Sequence, residues 1–165
     1  MNTLLFCTSY IRTRKEWINR YKRWINYYDD GKIENTRRVL IDDGSPYLPE
    51  TDEIRVIPDN ENASNYNDNV MIVHFKDNLG RHSISDYPGW WRSFFFSLDI
   101  ALEFNVDKIV HIESDAYILN KNLAKFINST TKGWSVLWTP HYSMPETAIQ
   151  IICSDQFDSF RNFQD

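Results

Sequence analysis

Short apolar runs alternate with amphipathic stretches along the chain. Leu4-Leu5-Phe6-Cys7-Thr8 is such a run and predicts a first strand. Trp17, Tyr21, Trp24, Ile25 and Tyr28 then recur at helical spacing on one face, flanked by Arg12, Arg14, Lys15, Arg20, Lys22 and Arg23. Asp29-Asp30-Gly31 ends that helix. Arg38-Val39-Leu40-Ile41 predicts a second strand, stopped by the turn cluster Asp42-Asp43-Gly44-Ser45-Pro46. Ile54-Arg55-Val56-Ile57 suits a short strand, residues 58–69 a polar surface loop, and Val70 to Phe75 another strand closed by Asp77-Asn78-Leu79-Gly80. After a loop at 81–89, Trp91, Phe94, Phe95, Leu98, Ala101 and Leu102 mark the expected buried face of a helix from Trp90 to Phe104. Lys108 to Ile112 predicts a central strand, and Leu123, Phe126 and Ile127 a short helix. Trp134–Trp138 and Thr147–Cys153 are two last strands joined by a Pro-bounded loop, residues 139–146.

This order, β-α-β-(β)-β-α-β-α-β-β, predicts an α/β sandwich: a mostly parallel sheet covered on both faces, becoming mixed near the C-terminal half. Ligands of such open sheets bind at the carboxyl ends of the strands. That rule brings Thr8-Ser9-Tyr10, Asp42-Asp43-Gly44-Ser45 and Glu113-Ser114-Asp115 to one edge.

Composition narrows the function classes. The 165 residues suit one domain, and 42% apolar with 15% aromatic residues suffices for a packed core. A net charge of −5 supplies no global basic field, so no nucleic-acid partner is expected. Cys7 and Cys153 both sit in apolar runs and suit small buried hydrophobes with free thiols. No run reaches the ~20 apolar residues of a membrane span, and the N-terminus carries no signal pattern. A cytoplasmic protein is therefore expected.

Glu113 and Asp115 lie one residue apart at the end of an apolar strand. In extended backbone, residues i and i+2 point the same way, which aims both carboxylates at one volume. Paired oxygens of this kind suit Mg²⁺ or Mn²⁺; a solvated, capped turn is the plainer alternative. The Asp42–Ser45 cluster is equally what a tight turn requires, and Thr8-Ser9-Tyr10 also suits a helix N-cap. His111 suits a satisfied core histidine, and His74, His82 and His141 have no metal-ligand spacing. G-x-G-x-x-G, G-x-x-x-x-G-K-[ST] and G-x-S-x-G are all absent, which withdraws support from dinucleotide enzymes, P-loop NTPases and α/β-hydrolases.

Taken in order, these segments resemble the GT-A glycosyltransferases (family 2-like), nucleotide-sugar-dependent enzymes with a Rossmann-like N-terminal half. Cys7-Thr8-Ser9-Tyr10 is similar to the turn after their first strand, Ile41-Asp42-Asp43-Gly44-Ser45 to their D-D-G-S turn, and Asp77-Asn78-Leu79-Gly80 to their N-x-G segment. Arg92 through Phe104, followed by Ile109 to Asp115, is similar to the helix and strand that lead to their D-x-D motif, with Glu113 where the family has Asp. The resemblance covers roughly residues 3–128.

It implies a GT-A α/β/α sandwich with residues 1–128 as the nucleotide-sugar half and 129–165 as a short, truncated acceptor-side half. It further implies that Thr8 and Tyr10 line a base pocket and that Asp42, with Asp43 beside it, accepts a hydrogen bond from the base. Arg92, with Arg81 as a second candidate, would face the nucleotide or phosphates. Asp115 with Glu113, and Ser114 between them, would hold a divalent ion (Mn²⁺ or Mg²⁺) against the diphosphate of a UDP-sugar donor. The acceptor would be a glycan or a lipid-linked acceptor, in polysaccharide biosynthesis. An inverting enzyme needs a carboxylate base; Glu146 and Asp155 are the candidates, Asp155 also reading as an N-cap. Trp138 and Tyr142 suit a sugar platform or the core, whereas Trp91 and Trp134 are expected in the core. The alternative reading is a non-catalytic nucleotide-sugar-binding module. A sugar nucleotidyltransferase ranks last, because Ser9-Tyr10-Ile11-Arg12 lacks glycine.

Overall fold

Strand β1 (Thr3–Ser9) splits its side chains between two apolar clusters on opposite faces: Leu4 and Phe6 enter one, Leu5 and Cys7 the other. The remaining strands are β2 (Arg37–Asp42), β3 (Arg55–Pro58), β4 (Val70–His74), β5 (Lys108–Ile112), β6 (Trp134–Thr139) and β7 (Met144–Cys153). The computed structural model, which describes residues 1–164, joins them into one seven-stranded sheet of order β3-β4-β2-β1-β5-β7-β6. The first five strands in that order are parallel; β7 runs antiparallel to β5, and β6 antiparallel to β7. The expected mostly parallel, partly mixed α/β sheet is thus observed.

Helices cover both faces. Helix α1 (Arg14–Glu16), a π-helical turn (Trp17–Tyr21) and α2 (Lys22–Tyr27) follow one another, and Trp17, Tyr21 and Trp24 pack on one face of the sheet together with α4 (Lys121–Ser129). The other face carries α3 (Pro88–Glu103) and α5 (Phe157–Asn162), through Phe94, Leu98, Phe157 and Phe160. Helix α5 is an element that periodicity did not reveal. Gly31 closes the first helical segment in the left-handed conformation, with φ 74°, as the Asp29-Asp30-Gly31 signal requires.

The buried face of α3 differs from the expected one. Gly89, Ser93, Ser97 and Ala101, at four-residue intervals, lie buried with Phe94 and Leu98, while Trp91 is 40% and Leu102 49% exposed. Trp134 is half-buried against the core, as expected.

Strand β5 is buried along its whole length, Lys108 included. Lys108 Nζ donates to the carbonyls of Ile127 (2.9 Å), Asn128 (3.1 Å) and Thr130 (3.3 Å) at the end of α4, so the buried ammonium answers carbonyls that the helix leaves open. Cys7 and Cys153 are free and buried, and burial raises the pKa of both thiols. Among the described residues, no helix is long and apolar enough to cross a membrane.

Candidate functional site

Successive connections carry the chain from β1 to β2, out to β3 at the sheet edge, into β4 between β2 and β3, and then across to β5 on the other side of β1. The direction of winding reverses between β1 and β5, and a crevice opens beyond their carboxyl ends. A cleft of about 390 Å³ lies there, walled by Thr8, Tyr10, Asp43, Arg81, Trp90 and Glu113 among others. The three turns expected on one edge do converge, but their side chains divide the work differently from expectation.

Strand alternation decides where Glu113 goes. Ile109 and His111 face α3, and Glu113 continues their side of the strand, its N–H still donating to Ala148 O at 2.9 Å. Its carboxylate accepts from Trp90 Nε1 and from Thr8 Oγ1 (3.2 Å), and His111 Nε2 lies 3.4 Å away. Burial acts to raise the pKa of Glu113; His111, Trp90 and Thr8 outweigh it and hold the group below its ordinary value. Glu113 is therefore an ionised carboxylate fixed by protein donors.

Ser114 and Asp115 go elsewhere. The strand ends at Ile112 and a turn follows, closed by Ala116 N–H donating to Glu113 O at 2.9 Å. The extended geometry behind the i, i+2 argument is lost, and the two carboxylates take different partners. Ser114 is buried and accepts from Arg20 Nε at 2.6 Å. Asp115 is 73% exposed in its side chain and faces Arg20 Nη2 at 3.4 Å. Among the described residues, no group of three or more His, Cys, Asp or Glu stands together as metal ligands. The donors at this turn fit a divalent ion poorly: one free carboxylate, already opposite a guanidinium, and a second held by protein donors.

The Asp42-Asp43 pair likewise splits. Asp42 is fully buried; Ser9 Oγ (2.9 Å), Ser45 N–H (2.9 Å), Ser45 Oγ and His74 Nδ1 (2.7 Å) surround both oxygens. Asp42 is not on the cleft wall and has no oxygen left for a nucleobase, contrary to expectation. Asp43 is on the wall, caged by Asn78 Nδ2 (2.8 Å), Gly80 N–H (2.8 Å) and Arg92 Nη2. The Asn78-Leu79-Gly80 segment thus serves to wrap Asp43. Gly89 is required beside it, because a Cβ there would lie 1.9 Å from Asp43 Oδ2. Arg92 does not line the cleft; it pairs with Asp43 and sits over the Phe75 ring, 3.9 Å from its centroid. Its role is to support the wall. Arg81 does line the cleft, with Nε on Ser83 O (2.8 Å) and its guanidinium over Tyr87.

Tyr10, 40% exposed, presents an aromatic face, and its backbone exchanges hydrogen bonds with Tyr21 Oη (3.1 and 3.0 Å). Ser93 Oγ is buried on the cleft wall and has no hydrogen-bond partner among the described residues.

The two candidate bases lie off the cleft. Because β7 is antiparallel, its end falls at the opposite edge of the sheet, where Ser154 N–H donates to Asp107 O. Asp155 therefore sits away from Glu113, accepting from Gly133 N–H at 2.9 and 3.2 Å, a bond that lowers its pKa. Glu146 stands within β7 at the edge shared with Glu113, but its carboxylate accepts from Ala148 N–H (2.9 Å) and does not wall the cleft. Trp138 and Tyr142 are exposed on the β6–β7 hairpin.

Trp90, an aromatic expected near the cleft, does wall it, and Arg20 is a functional candidate that sequence reasoning passed over. Arg20 counted only as a polar flank of its helix; its place beside Tyr21, at the margin of the apolar stripe, was the signal. No protein-family model matches the chain, and no curated protein sequence does.

Proposed function

We propose that the protein is a GT-A-type glycosyltransferase that moves a sugar from a nucleoside diphosphate sugar to a glycan or related acceptor. One observation carries this reading: the turns after β1, β2 and β5 meet at the winding reversal and wall a single polar-aromatic cleft. The strand order, with β7 inserted antiparallel beside β5, suits such a sandwich. The exposed ring of Tyr10 is available to stack on a base, and the unpartnered hydroxyl of Ser93 to donate to a ligand oxygen. Departure of a nucleoside diphosphate leaves negative charge on phosphate oxygens, which positive groups fixed in a cleft stabilise as it develops. Arg20 and Arg81 are the wall cations suited to that role; Arg12 is paired with Glu16. UDP is the first nucleotide to test.

A non-catalytic nucleotide-sugar-binding module is the second reading, and the carboxylates favour it. Glu113, Asp43 and Glu16 each already bind protein donors, and Glu146 and Asp155 lie off the cleft. Thermal shift with UDP, GDP, CDP and dTDP, with and without Mn²⁺, tests what the two readings share: one nucleotide raises the melting temperature. No response to any of the four contradicts both. Release or transfer of a radiolabelled sugar from the UDP-sugars then separates enzyme from binding module.

A further inference from the structure

Arg20 belongs to the π-helical turn Trp17–Tyr21, a geometry that is rare and concentrated at functional sites. The turn buries Trp17 and Tyr21 and leaves the Arg20 side chain 46% exposed on the cleft wall. Its Nε is fixed to Ser114 Oγ at 2.6 Å, and Ser114 is itself buried, which sets the plane of the guanidinium. Among the described residues its Nη2 has one hydrogen-bond partner, Asp115, at a stretched 3.4 Å, and the guanidinium carbon lies 5.4 Å from the centroid of the Tyr21 ring. A guanidinium has five N–H donors, so most of the fork remains open toward the cleft. Of the other cations nearby, Arg12 is paired with Glu16 and Arg92 with Asp43; Arg81 is tied through Nε to Ser83 O on an exposed loop and lies over Tyr87, whereas the partner that fixes Arg20 is buried.

We propose that Arg20 is the diphosphate-binding cation of this cleft, acting in place of a divalent ion, with Ser114 and Asp115 aiming it. The inference rests on the nucleotide-sugar reading of the site. A planar fork binds phosphate oxygens in pairs without any ion. Asp115 serves this arrangement by holding one N–H of the fork, and an ion placed on Asp115 would stand against the positive charge of Arg20. Glu113 takes no part, because its donors are Trp90 and Thr8.

Calorimetric titration with UDP and with uridine tests this, on the wild type, Arg20→Gln, Arg20→Lys and Asp115→Asn, each in EDTA and in Mn²⁺. The wild type in EDTA should prefer UDP to uridine by about tenfold to a hundredfold, the range for hydrogen bonds to charged groups. Arg20→Gln should abolish that preference while leaving uridine affinity unchanged in the folded variant, with a lower melting temperature where the buried Ser114 hydroxyl loses its donor, and Arg20→Lys should restore part of the preference. A preference that persists in Arg20→Gln overturns the proposal. So does a preference that appears only with Mn²⁺ and disappears in Asp115→Asn, which would assign the charge to an ion. Absence of binding by UDP, GDP, CDP and dTDP to the wild type overturns the nucleotide reading itself, and this inference with it.

Discussion

Each acidic residue at the cleft is defined by what donates to it. Asp42 and Asp43 are adjacent in sequence, yet one is sealed within the turn and the other is caged on the wall. The Asp43 cage predicts that Gly89→Ala destabilises by about 1–3 kcal/mol, the usual range for overpacking, because the carboxylate cannot move out of the new methyl's way. Arg92→Leu removes the charged partner of Asp43 and should cost about 3 kcal/mol. Urea denaturation measures both; a loss under 0.5 kcal/mol in both, the ordinary scatter of surface substitutions, would show that the cage is not built as described. Glu113 makes a pH-dependent prediction. Its folded pKa is lowered, so it stabilises the fold above the ordinary value of 4.5, and that contribution is lost as pH falls through the folded value. Glu113→Gln should flatten the acid limb of a stability-versus-pH curve below pH 4.5. An unchanged acid limb would mean that the donors around Glu113 do not favour its ionised form.

Among the elements, the strands and the first helix were legible because their patterns are long and their interiors apolar. The deviations have local physical causes. Helix α3 buries Phe94, Leu98 and Ala101 as expected but not Trp91; Gly89, Ser93 and Ser97 are buried as well, and a rule that ranks residues by size misses such small or polar positions. Glu113 and Asp115 take different partners because a turn replaces extended backbone after Ile112, where the period of two no longer applies. Asp155 lies at the opposite edge of the sheet because β7 runs antiparallel to β5, a pairing that a single chain segment does not reveal. Helix α5, six residues long, is too short for its apolar pair Phe157 and Phe160 to mark a period, and it was not read from the sequence. Phe160 is fully buried against Phe94, Phe95 and Trp134. Phe160→Ala should therefore cost about 3–5 kcal/mol in chemical denaturation, yet leave ligand affinity at the cleft unchanged. A loss of affinity in the folded variant would link α5 to the site.

At the scale of the molecule, one topological fact organises the rest. The sheet winds outward from β1, reverses to β5, and leaves a crevice where three loops with polar side chains meet. That convergence was legible in the sequence, because strands alternating with helices imply parallel neighbours and a shared carboxyl edge. Its chemistry was legible only in part: Thr8, Tyr10, Asp43, Arg81 and Glu113 wall the cleft, while Arg20 enters from a π-helical turn that no periodicity marks. The central claim is that this cleft binds a nucleoside diphosphate. Amide chemical-shift mapping of the ¹⁵N-labelled chain during titration with UDP tests it most directly. The account predicts saturable perturbations clustered at Thr8–Tyr10, Arg20–Tyr21, Gly80–Arg81 and Glu113–Asp115. Perturbations centred elsewhere, such as on α4 or the β6–β7 hairpin, or none at millimolar UDP, would contradict it.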